Sequence, residues 1–506
     1  MAFGELQRGI LAAFQNENPE KFNEEVIFMR QNEKDGLHSY FQDLFKSLKL
    51  NGIEYLGSET ITDESEFHKY VPRKSIAIEE SRLDLIKATF KLSIEEEGVL
   101  LVKEVSIHLF FPKLIDDFFF YLNGSKYFAV YQLTDRNFYS SRTALYLKTL
   151  LMPLGLHQKP SKMKLTDGEI ISGNELLLDY FKQKSNNFKN YKNMFTHYFI
   201  TMGIDETIDY FFKVSKGVKH PQTHYMYIVD DLDDVPAGYK VMDMRKDLWL
   251  AFHLDSNSTP EYRDLIITFG LCVKGVRKTS SLYEEDYWKR KIITSTNGNL
   301  SKADKAIISF ERVLDERTKR NLKEVPDADK DDVYGIIKFM AFNYSMLYNI
   351  DSVNVYNRRL RLYEYMLYPL LIKFSEATYR VLNSRNVNMK RLENVFSNIG
   401  PNFLIKKIIT SDLCRYNNAS STLDFFQTLK WSARGPQALG SSGQNITMRF
   451  RGVHESYVGN LGMVTANASD PGMTGTLCPM SSNIQNMLFE DPKRKVKYNI
   501  KIDNIA

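Results

Sequence analysis

The sequence predicts an α+β protein of several domains, and three observations support this fold class. First, 506 residues are too many for a single hydrophobic core, and the usual domain size gives about three domains. Second, β-rich runs follow one another between residues 76 and 133. Third, strong helical periodicity returns between Asp331 and Asn383. Runs of strands and runs of helices that occupy different parts of a chain are typical of α+β architectures.

In chain order, the first fifty residues predict helices, because residues 37–50 repeat apolar side chains every three or four positions. Three β-rich runs follow, at residues 84–94, 98–111 and 117–133. The third run is interrupted by Asn123-Gly124. An Asn-Gly pair between apolar runs predicts a hairpin with a two-residue turn at this point.

The middle of the chain, residues 138–330, has a mixed pattern and is predicted to be an inserted domain. Residues 174–183 predict a helix and residues 224–230 a strand. Helices are predicted again from Asp331, and the last ninety or so residues are loop-rich because glycines crowd together there.

The composition restricts the class of protein. A hydrophobic content of 43% and an aromatic content of 13% indicate a folded chain rather than a disordered one. A net charge of +5 is too small for the whole surface to attract nucleic acid, so any basic surface must be local. Three cysteines without a CxxC pair argue against a disulfide framework and a structural zinc site, and favour a reducing compartment.

Two features bear on location. The N-terminal residues 1–15 form an amphipathic pattern that acidic and basic residues interrupt, so they do not resemble a signal peptide. No apolar run reaches the roughly 18 residues that a membrane span needs. We therefore expect a soluble, cytoplasmic protein without a membrane partner.

The most informative stretch is residues 425–454, which contains no acidic residue. Its four cations lie among glycines and amides, and they are Lys430, Arg434, Arg449 and Arg451, with Gln444 and Asn445 as neutral donors. A glycine-rich loop with unopposed cations can bring its backbone close to phosphates. The alternative is that some of these cations pair with acidic residues elsewhere in the fold.

Two further elements are candidates for nucleic-acid binding. Three cations stand in four residues at Arg358, Arg359 and Arg361, at the predicted start of an apolar helix. On a helix Arg358 and Arg361 would share a face, while Arg359 would point away and anchor the element to a neighbour. Gln132 closes a β-rich run, and its alternative interpretation is an edge-strand amide that faces water.

Three segments resemble the β subunit of multisubunit RNA polymerases. Residues 103–133 match an Asn-Gly hairpin that leads into a Gln-Leu strand, through Asn123, Gly124, Val130, Gln132 and Leu133. Residues 349–371 match an Asn-Arg-Arg element, through Asn357, Arg358, Arg359, Leu360 and Arg361. Residues 430–459 resemble the fork and rifamycin-pocket region, through Lys430, Ser432, Gly435, Pro436, Arg451, Val453, His454, Ser456 and Gly459.

The order of the three segments carries more weight than any single match, because chance matches would rarely keep the family's order across about 350 residues. There are departures from the family pattern: Arg434 replaces an apolar residue and Trp431 is new. After Gly459, either residues 467–477 or residues 477–485 are the counterpart of the family's next loop.

The resemblance implies the N-terminal half of a split β subunit, as in the polymerases of giant bacteriophages. It implies a protrusion in two segments (1–137 and 331–415), a lobe-like insertion (138–330) and a fork region (416–506). Gln132 would lie beside the fork. The chain would line the cleft around template DNA and RNA without performing chemistry, in the cytoplasm of a bacterial host.

The resemblance also implies partners. These are a C-terminal β-type fragment and β′-type subunits, and a promoter-specificity factor is a further candidate. We expect no cofactor in this chain, and we expect Mg²⁺ on a β′-type partner. The alternative function is a stand-alone nucleic-acid-binding or scaffold protein whose basic loop arose independently.

Two other patterns have ordinary structural interpretations. Four aspartates between Asp230 and Asp234 are typical of a solvated loop, although they could imitate a metal cluster. His220 and His224 have helical ligand spacing, but Pro221 weakens a helical metal face.

Overall fold

The structure is a computed structural model, and it describes residues 36–47, 52–71, 80–96, 99–115, 119–141, 144–150, 153–179, 191–212, 226–235, 237–244, 248–254, 258–274, 276, 280–292, 300–382, 388–417, 430–436, 451–462, 473–477, 484–485 and 488–489. The chain forms two compact units. The first unit comprises Met1–Arg136 and Asp351–Arg494, and the second comprises Asn137–Ile350 and Lys495–Ala506.

The first segment of the first unit is rich in strands. Its elements are α1 (Gly36–Ser47), β1 (Ile53–Ile61), α2 (Glu64–Tyr70), β2 (Leu83–Glu96), β3 (Val99–Pro112), β4 (Leu114–Ile115), β5 (Phe119–Leu122), β6 (Ser125–Ala129) and β7 (Tyr131–Asp135). Strands β1, β2 and β3 form an antiparallel sheet. The helix predicted at 37–50 is confirmed as far as Ser47, where the described residues of this helix end, and the predicted strands are confirmed where the structure describes them. The helices predicted for residues 1–35 lie outside the described residues.

The predicted Asn-Gly hairpin is also confirmed. Strands β5 and β6 are antiparallel neighbours, with Leu122 opposite Ser125 across the turn. Asn123 and Gly124 both have positive φ angles, 50° and 72°. Two successive residues with positive φ form the turn that matches the twist of a two-residue hairpin, and Asn-Gly adopts it at little cost.

The second unit contains two antiparallel sheets and most of the short helices. Its elements are β8 (Phe138–Ser141), β9 (Ala144–Leu147), β10 (Leu154–Lys164), β11 (Ile170–Asp179), β12 (Lys192–Asn193), α3 (Phe195–Thr201), α4 (Ile204–Phe212), β13 (Met226–Val229), β14 (Lys240–Asp243), β15 (Trp249–Phe252), α5 (Pro260–Val273), α6 (Ser280–Tyr283), α7 (Glu285–Ile292), α8 (Leu300–Glu311), α9 (Glu316–Asn321), α10 (Asp327–Lys330), α11 (Val333–Phe342) and α12 (Tyr344–Tyr348).

One prediction for this unit is wrong. Residues 174–183 were predicted to be helical, but β11 covers this stretch as far as Asp179 and pairs with β10 along ten residues. Leu176, Leu177 and Leu178 are all buried, because helix α5 packs against this strand. Burial on both faces explains a continuous apolar run in a strand, and it overrides the helical propensity of leucine.

The helices α11 and α12 belong to the core of the second unit, where Ile336, Phe339 and Leu347 pack. The sequence analysis placed them in the second protrusion segment, which begins at residue 331. The contacts instead place the boundary between Ile350 and Asp351. The composition of helices α11 and α12 could not reveal which core they join, because an apolar helix can pack into either core.

The second segment of the first unit begins with a single 3₁₀ turn at Val355–Asn357. Its further elements are β16 (Arg358–Arg361), α13 (Glu364–Leu382), α14 (Met389–Ser397), α15 (Phe403–Ile409), β17 (Cys414–Tyr416), β18 (Lys430–Ser432), a 3₁₀ turn (Glu455–Tyr457), β19 (Leu461–Gly462), β20 (Thr474–Leu477), β21 (Ile484–Gln485) and β22 (Leu488–Phe489). Phe374 of α13 packs edge to face against Phe45 of α1, with 5.0 Å between ring centroids. The two sequence segments therefore share one core.

Candidate nucleic-acid interface

The three segments that resemble the polymerase family meet in one sheet of the first unit. The sheet has seven strands in the order β19, β20, β18, β7, β16, β22, β21. Strand β7 lies at its centre, antiparallel to β16 and parallel to β18. Gln132 of β7 therefore stands opposite Arg361 on one side and Ser432 on the other.

Gln132 connects the other two segments through its side-chain amide. Its Nε2 donates to the backbone oxygens of Arg434 at 2.8 Å and Pro436 at 2.9 Å. Its Oε1 accepts from Nε of Arg361 at 2.8 Å and also from Nη2 of that guanidinium. Arg361 Nη2 donates to the Pro436 oxygen as well, at 2.6 Å. Gln132 is fully buried on a central strand, so the edge-strand alternative is wrong.

The arginine triplet lies in a strand and not at the start of a helix. Arg358–Arg361 form β16, and helix α13 begins only at Glu364. In a strand, alternate residues share a face, so Arg359 and Arg361 point together and Arg358 points the other way. The helical spacing argument was therefore wrong, because pairing with β7 and β22 holds these residues extended.

Arg359 and Arg361 share the carboxylate of Glu364. The Nη2 of Arg359 lies 2.9 Å from Oε1 of Glu364, and the Nη1 of Arg361 lies 3.2 Å from the same oxygen. All three side chains are buried. Burial lowers the pKa of Arg361, and the nearby carboxylate of Glu364 opposes that shift. Removal of one partner from such a buried group would leave an uncompensated charge, which is strongly destabilising.

Arg358 anchors the third segment from the opposite face of β16. Its Nε donates to the Ser352 oxygen at 2.7 Å, and its Nη1 donates to the Tyr457 hydroxyl at 3.3 Å. Nearby, the backbone N–H of Val355 donates to Oγ of Ser456 at 2.9 Å. Residues 451–460 are thus fixed to the chain that leads into β16.

Direct phosphate contact does not fit Arg358 and Arg361, for which it was predicted. Their side chains are among the largest fully buried ones of the described chain. The protein's own oxygens occupy donors of both guanidiniums. Arg359, for which an anchoring role was predicted, binds Glu364 at the start of α13, while Arg358 and Arg361 bind residues 352, 457, 132 and 436.

Gly435 is required by the close packing of this turn. Its φ angle is +101°, in the region that favours glycine. A Cβ added here would lie 2.4 Å from Cδ1 of Leu413 and 3.0 Å from Nε2 of Gln132. The glycine therefore allows the turn after β18 to approach the Gln132 amide closely.

Lys430 feels the charge of a second cation, Arg415, which the sequence did not single out. Burial lowers the pKa of Lys430, and the positive charge of Arg415 on β17 lowers it further. Among the residues that the structure describes, neither Lys430 nor Arg415 has an acidic partner or a hydrogen-bond acceptor for its side chain. Two cations that repel each other, and for which the described residues provide no counter-ion, are a suitable site for a phosphate, which would relieve their repulsion.

Trp431 explains one departure from the family pattern. Its side chain is buried, and it faces Gly475 of β20 across the sheet. A Cβ at Gly475 would lie 2.7 Å from Nε1 of Trp431. The indole therefore occupies the space that Gly475 leaves open. Trp431 is thus a buried residue of the sheet, next to Lys430 in the sequence.

The remaining predicted cations fall into two groups. Arg434 and Arg451 are partly exposed, and the Nε of Arg451 has no hydrogen-bond partner in the described chain. Gln444, Asn445 and Arg449 lie outside the described residues. The structure thus places Gln132, Arg361, Lys430 and Arg434 on or next to the three neighbouring strands β16, β7 and β18.

The other candidate sites do not gain support. Asp231 caps a 3₁₀ turn by accepting from the Asp233 N–H, and the four aspartates of this loop are exposed. The described residues contain no group of three His, Cys, Asp or Glu side chains that could hold a metal ion. His220 and His224 lie outside the described residues. No described helix is both long and apolar enough to cross a bilayer.

Comparison with known proteins gives one informative match. The family model described as "Non-virion RNA polymerase subunit" matches residues 1–490. The match includes every described residue of the seven-stranded sheet, and it covers the first segment of the first unit and the second segment as far as residue 490. A search of curated proteins gave no match.

Proposed function

The chain belongs to the family of non-virion RNA polymerase subunits, and from this premise we propose that it is a β-type core subunit of a DNA-directed polymerase. Membership of an RNA polymerase complex confirms the coarse form of the sequence-based prediction. In the proposal, the chain corresponds to the N-terminal part of a β subunit and lines the nucleic-acid cleft near the active centre. It holds template DNA and the RNA transcript during transcription.

The adjacency of the three resembling segments is the observation that carries the proposal. Strand β7 lies more than 200 residues before β16 and β18 in the chain, and it pairs with both of them in the sheet. Their contacts are made by the residues on which the resemblance rests, Gln132, Arg361 and Pro436. Contacts among these particular side chains are not expected in a stand-alone scaffold protein whose basic loop arose independently.

The nucleic-acid contacts are proposed for the cations that remain accessible. Lys430 and Arg415 form the central pair, and Arg434 and Arg451 extend it. Gln444, Asn445 and Arg449 stay candidates by sequence. Phosphate contacts position a strand without reading its sequence, which suits a subunit that must hold any transcript. Gln132, Arg358 and Arg361 act as positioning residues beneath this surface.

The proposal assigns the chemistry to other chains. Nucleotide addition requires carboxylates that bind Mg²⁺ and orient an in-line attack. We propose that a β′-type partner supplies them and that a C-terminal β-type fragment completes this subunit. A promoter-specificity factor is a further proposed partner. This chain contributes shape and positive charge to the shared cleft.

The proposal is tested by purification of this chain, with an affinity tag, from the cells that produce it naturally. We expect β′-type and C-terminal β-type polypeptides to be recovered with it in stable proportions. Recovery of this chain alone, together with tight binding of single-stranded nucleic acid by the isolated chain, would contradict the proposal and support a stand-alone binding protein.

A second test addresses the cation pair in the assembled enzyme. Arg415→Ala and Lys430→Ala should each make elongation complexes dissociate at lower salt concentration. Each lost phosphate contact should reduce the logarithmic salt slope by about 0.7 to 0.9. Lys407→Ala is the matched control, because Lys407 is an exposed cation on α15 of the same unit. Unchanged salt tolerance in both variants would reject the assignment.

A further inference from the structure

The long hairpin of β2 and β3 ends in a two-stranded ribbon. Strand β1 pairs with β2 only as far as Ile53 opposite Leu92. Strands β2 and β3 continue to pair beyond this point, up to Glu96 opposite Val99. We call residues Val99–Val102 of this ribbon the apolar tip.

The apolar tip is exposed to a degree that is unusual for aliphatic side chains. The exposed fractions are 60% for Val99, 67% for Leu100, 39% for Leu101 and 51% for Val102. Alternate residues of a strand point to opposite faces, so both faces of the ribbon present aliphatic groups. A strand that is apolar on both faces is normally covered on both faces. Contiguous exposed apolar surface of this kind marks an interaction site.

The base of the ribbon is fixed to the rest of the unit. The Nζ of Lys103 lies 3.0 Å from Oε2 of Glu393 on α14. Further along β3, the backbone N–H of Phe110 donates to the Pro401 oxygen at 3.0 Å. The apolar tip therefore extends from a strand that is anchored at its base. Because the strand is already ordered, less conformational entropy of this chain is lost when a partner binds.

We propose that the apolar tip inserts into an apolar cleft with a basic rim on another protein subunit of the same polymerase. Apolar groups on both faces require a cleft with two walls and not a flat surface. The charge around the tip specifies the rim. Glu95 and Glu96 stand opposite Leu100 and Val99, Glu97 follows in the sequence, and Glu104 is exposed. A basic rim complements these carboxylates and steers the encounter.

The same carboxylates disfavour three other partners for the apolar tip, which are nucleic acid, a membrane surface and a second copy of this chain. Phosphates of nucleic acid and anionic membrane lipids would be repelled by the glutamates. A symmetric contact between two copies would bring the same acidic cluster against itself. The inference rests on the proposed function only in taking the partner from the same polymerase.

The test compares the two faces of the ribbon in the full-length chain. The probe is the assembly of the remaining polymerase subunits, produced without this chain and then mixed with it. Two double variants, Val99→Ser with Leu101→Ser and Leu100→Ser with Val102→Ser, should each weaken binding by about a hundredfold. Ile170→Ser is the matched control, because Ile170 is a comparably exposed aliphatic residue on a strand, and it should bind as wild type.

Thermal unfolding of the double variants should match that of wild type, because the substituted side chains are exposed. Wild-type affinity in both variants would overturn the inference. A loss confined to one face would overturn the enclosing cleft. Association of the isolated chain with itself, or with anionic lipid vesicles, that the double variants abolish would also overturn it.

The basic rim has its own test. Replacement of Glu95, Glu96 and Glu97 by lysine should slow association about tenfold at low salt, and the difference should shrink at high salt. An unchanged association rate at low salt would overturn the charge argument. Failure of the wild-type chain to bind the assembly would instead contradict the proposed function itself, together with the inference.

Discussion

The substitution Gln132→Glu tests whether the central amide positions the turn after β18. The change keeps the size and the Oε1 acceptor of the side chain but removes both N–H donors. Those donors bind the backbone oxygens of Arg434 and Pro436 at 2.8 and 2.9 Å. In the variant, a carboxylate oxygen would face two carbonyl oxygens at these distances, and the three atoms would repel one another.

The magnitude follows from the hydrogen bonds that are lost. A neutral hydrogen bond contributes about 0.5 to 1.5 kcal/mol net, and a buried acceptor left without a donor costs about 1 to 3 kcal/mol. The Pro436 oxygen still accepts from Nη2 of Arg361, so only the Arg434 oxygen is left without its donor. One orphaned acceptor and one further lost hydrogen bond together predict a local destabilisation of about 2 to 4 kcal/mol. The added negative charge strengthens the hydrogen bonds that Oε1 accepts from Arg361 and offsets part of this loss, so we expect a net effect at the lower end of the range, about 2 kcal/mol.

Hydrogen exchange measures this loss at the site itself. Amides of peptides that cover residues 430–436 should exchange about thirtyfold faster or more, since each 1.4 kcal/mol is a factor of ten. Gln42→Glu is the matched control, because Gln42 is a partly buried amide whose hydrogen bond to the Ser58 oxygen is long, at 3.4 Å. Wild-type exchange at residues 430–436 in Gln132→Glu would refute the positioning role.

Three further predictions concern the same surface. Gly435→Ala should destabilise the first unit by about 2 kcal/mol or more in a urea unfolding assay, because positive φ is strained for alanine and its Cβ would overlap Leu413. Gly57→Ala is the control and should be tolerated in this assay, because nothing lies within 4 Å of the added Cβ. Burial and Arg415 lower the pKa of Lys430, so Lys430 loses its charge at a lower pH than an ordinary lysine does. The salt slope of elongation complexes should therefore fall as the pH rises towards the ordinary lysine pKa of about 10.4 in wild type, and it should stay constant in Lys430→Arg, which remains charged. Parallel profiles would contradict this. Arg434→Ala and Arg451→Ala should each reduce elongation-complex stability by about 1 to 3 kcal/mol and should each reduce the salt slope by about 1. Equal half-lives at all salt concentrations would reject phosphate contact.

The sequence predicted those elements whose conformation depends mainly on neighbouring residues in the chain. The Asn123-Gly124 hairpin was predictable because few sequences tolerate two successive positive φ angles. The helix at Gly36–Ser47 was predictable from its apolar spacing. The run around Leu177 was not, because its conformation depends on the burial that β10 and α5 provide.

The candidate site divides in the same way. The glycine-rich cationic segment around Lys430 was visible as composition. The burial of Arg358 and Arg361 was not, because it depends on β7 and β22, which lie far away in the sequence. The acidic partner of Arg359 and Arg361 could have been predicted, because Glu364 is the first acidic residue after the arginine triplet. Arg415 could not be singled out from the sequence, because it is a single cation on β17, which pairs with β6, and its effect on Lys430 depends on the folded structure.

The central claim is that Gln132 and Arg361 hold the turn after β18 so that Lys430 and Arg415 face nucleic-acid phosphates in the assembled polymerase. Photocrosslinking tests it most directly, with a photoreactive residue at position 430 in reconstituted elongation complexes and at position 407 as the control. We predict crosslinks from position 430 to the RNA or the template strand, and none from position 407. Crosslinks from position 430 to protein alone would contradict the account.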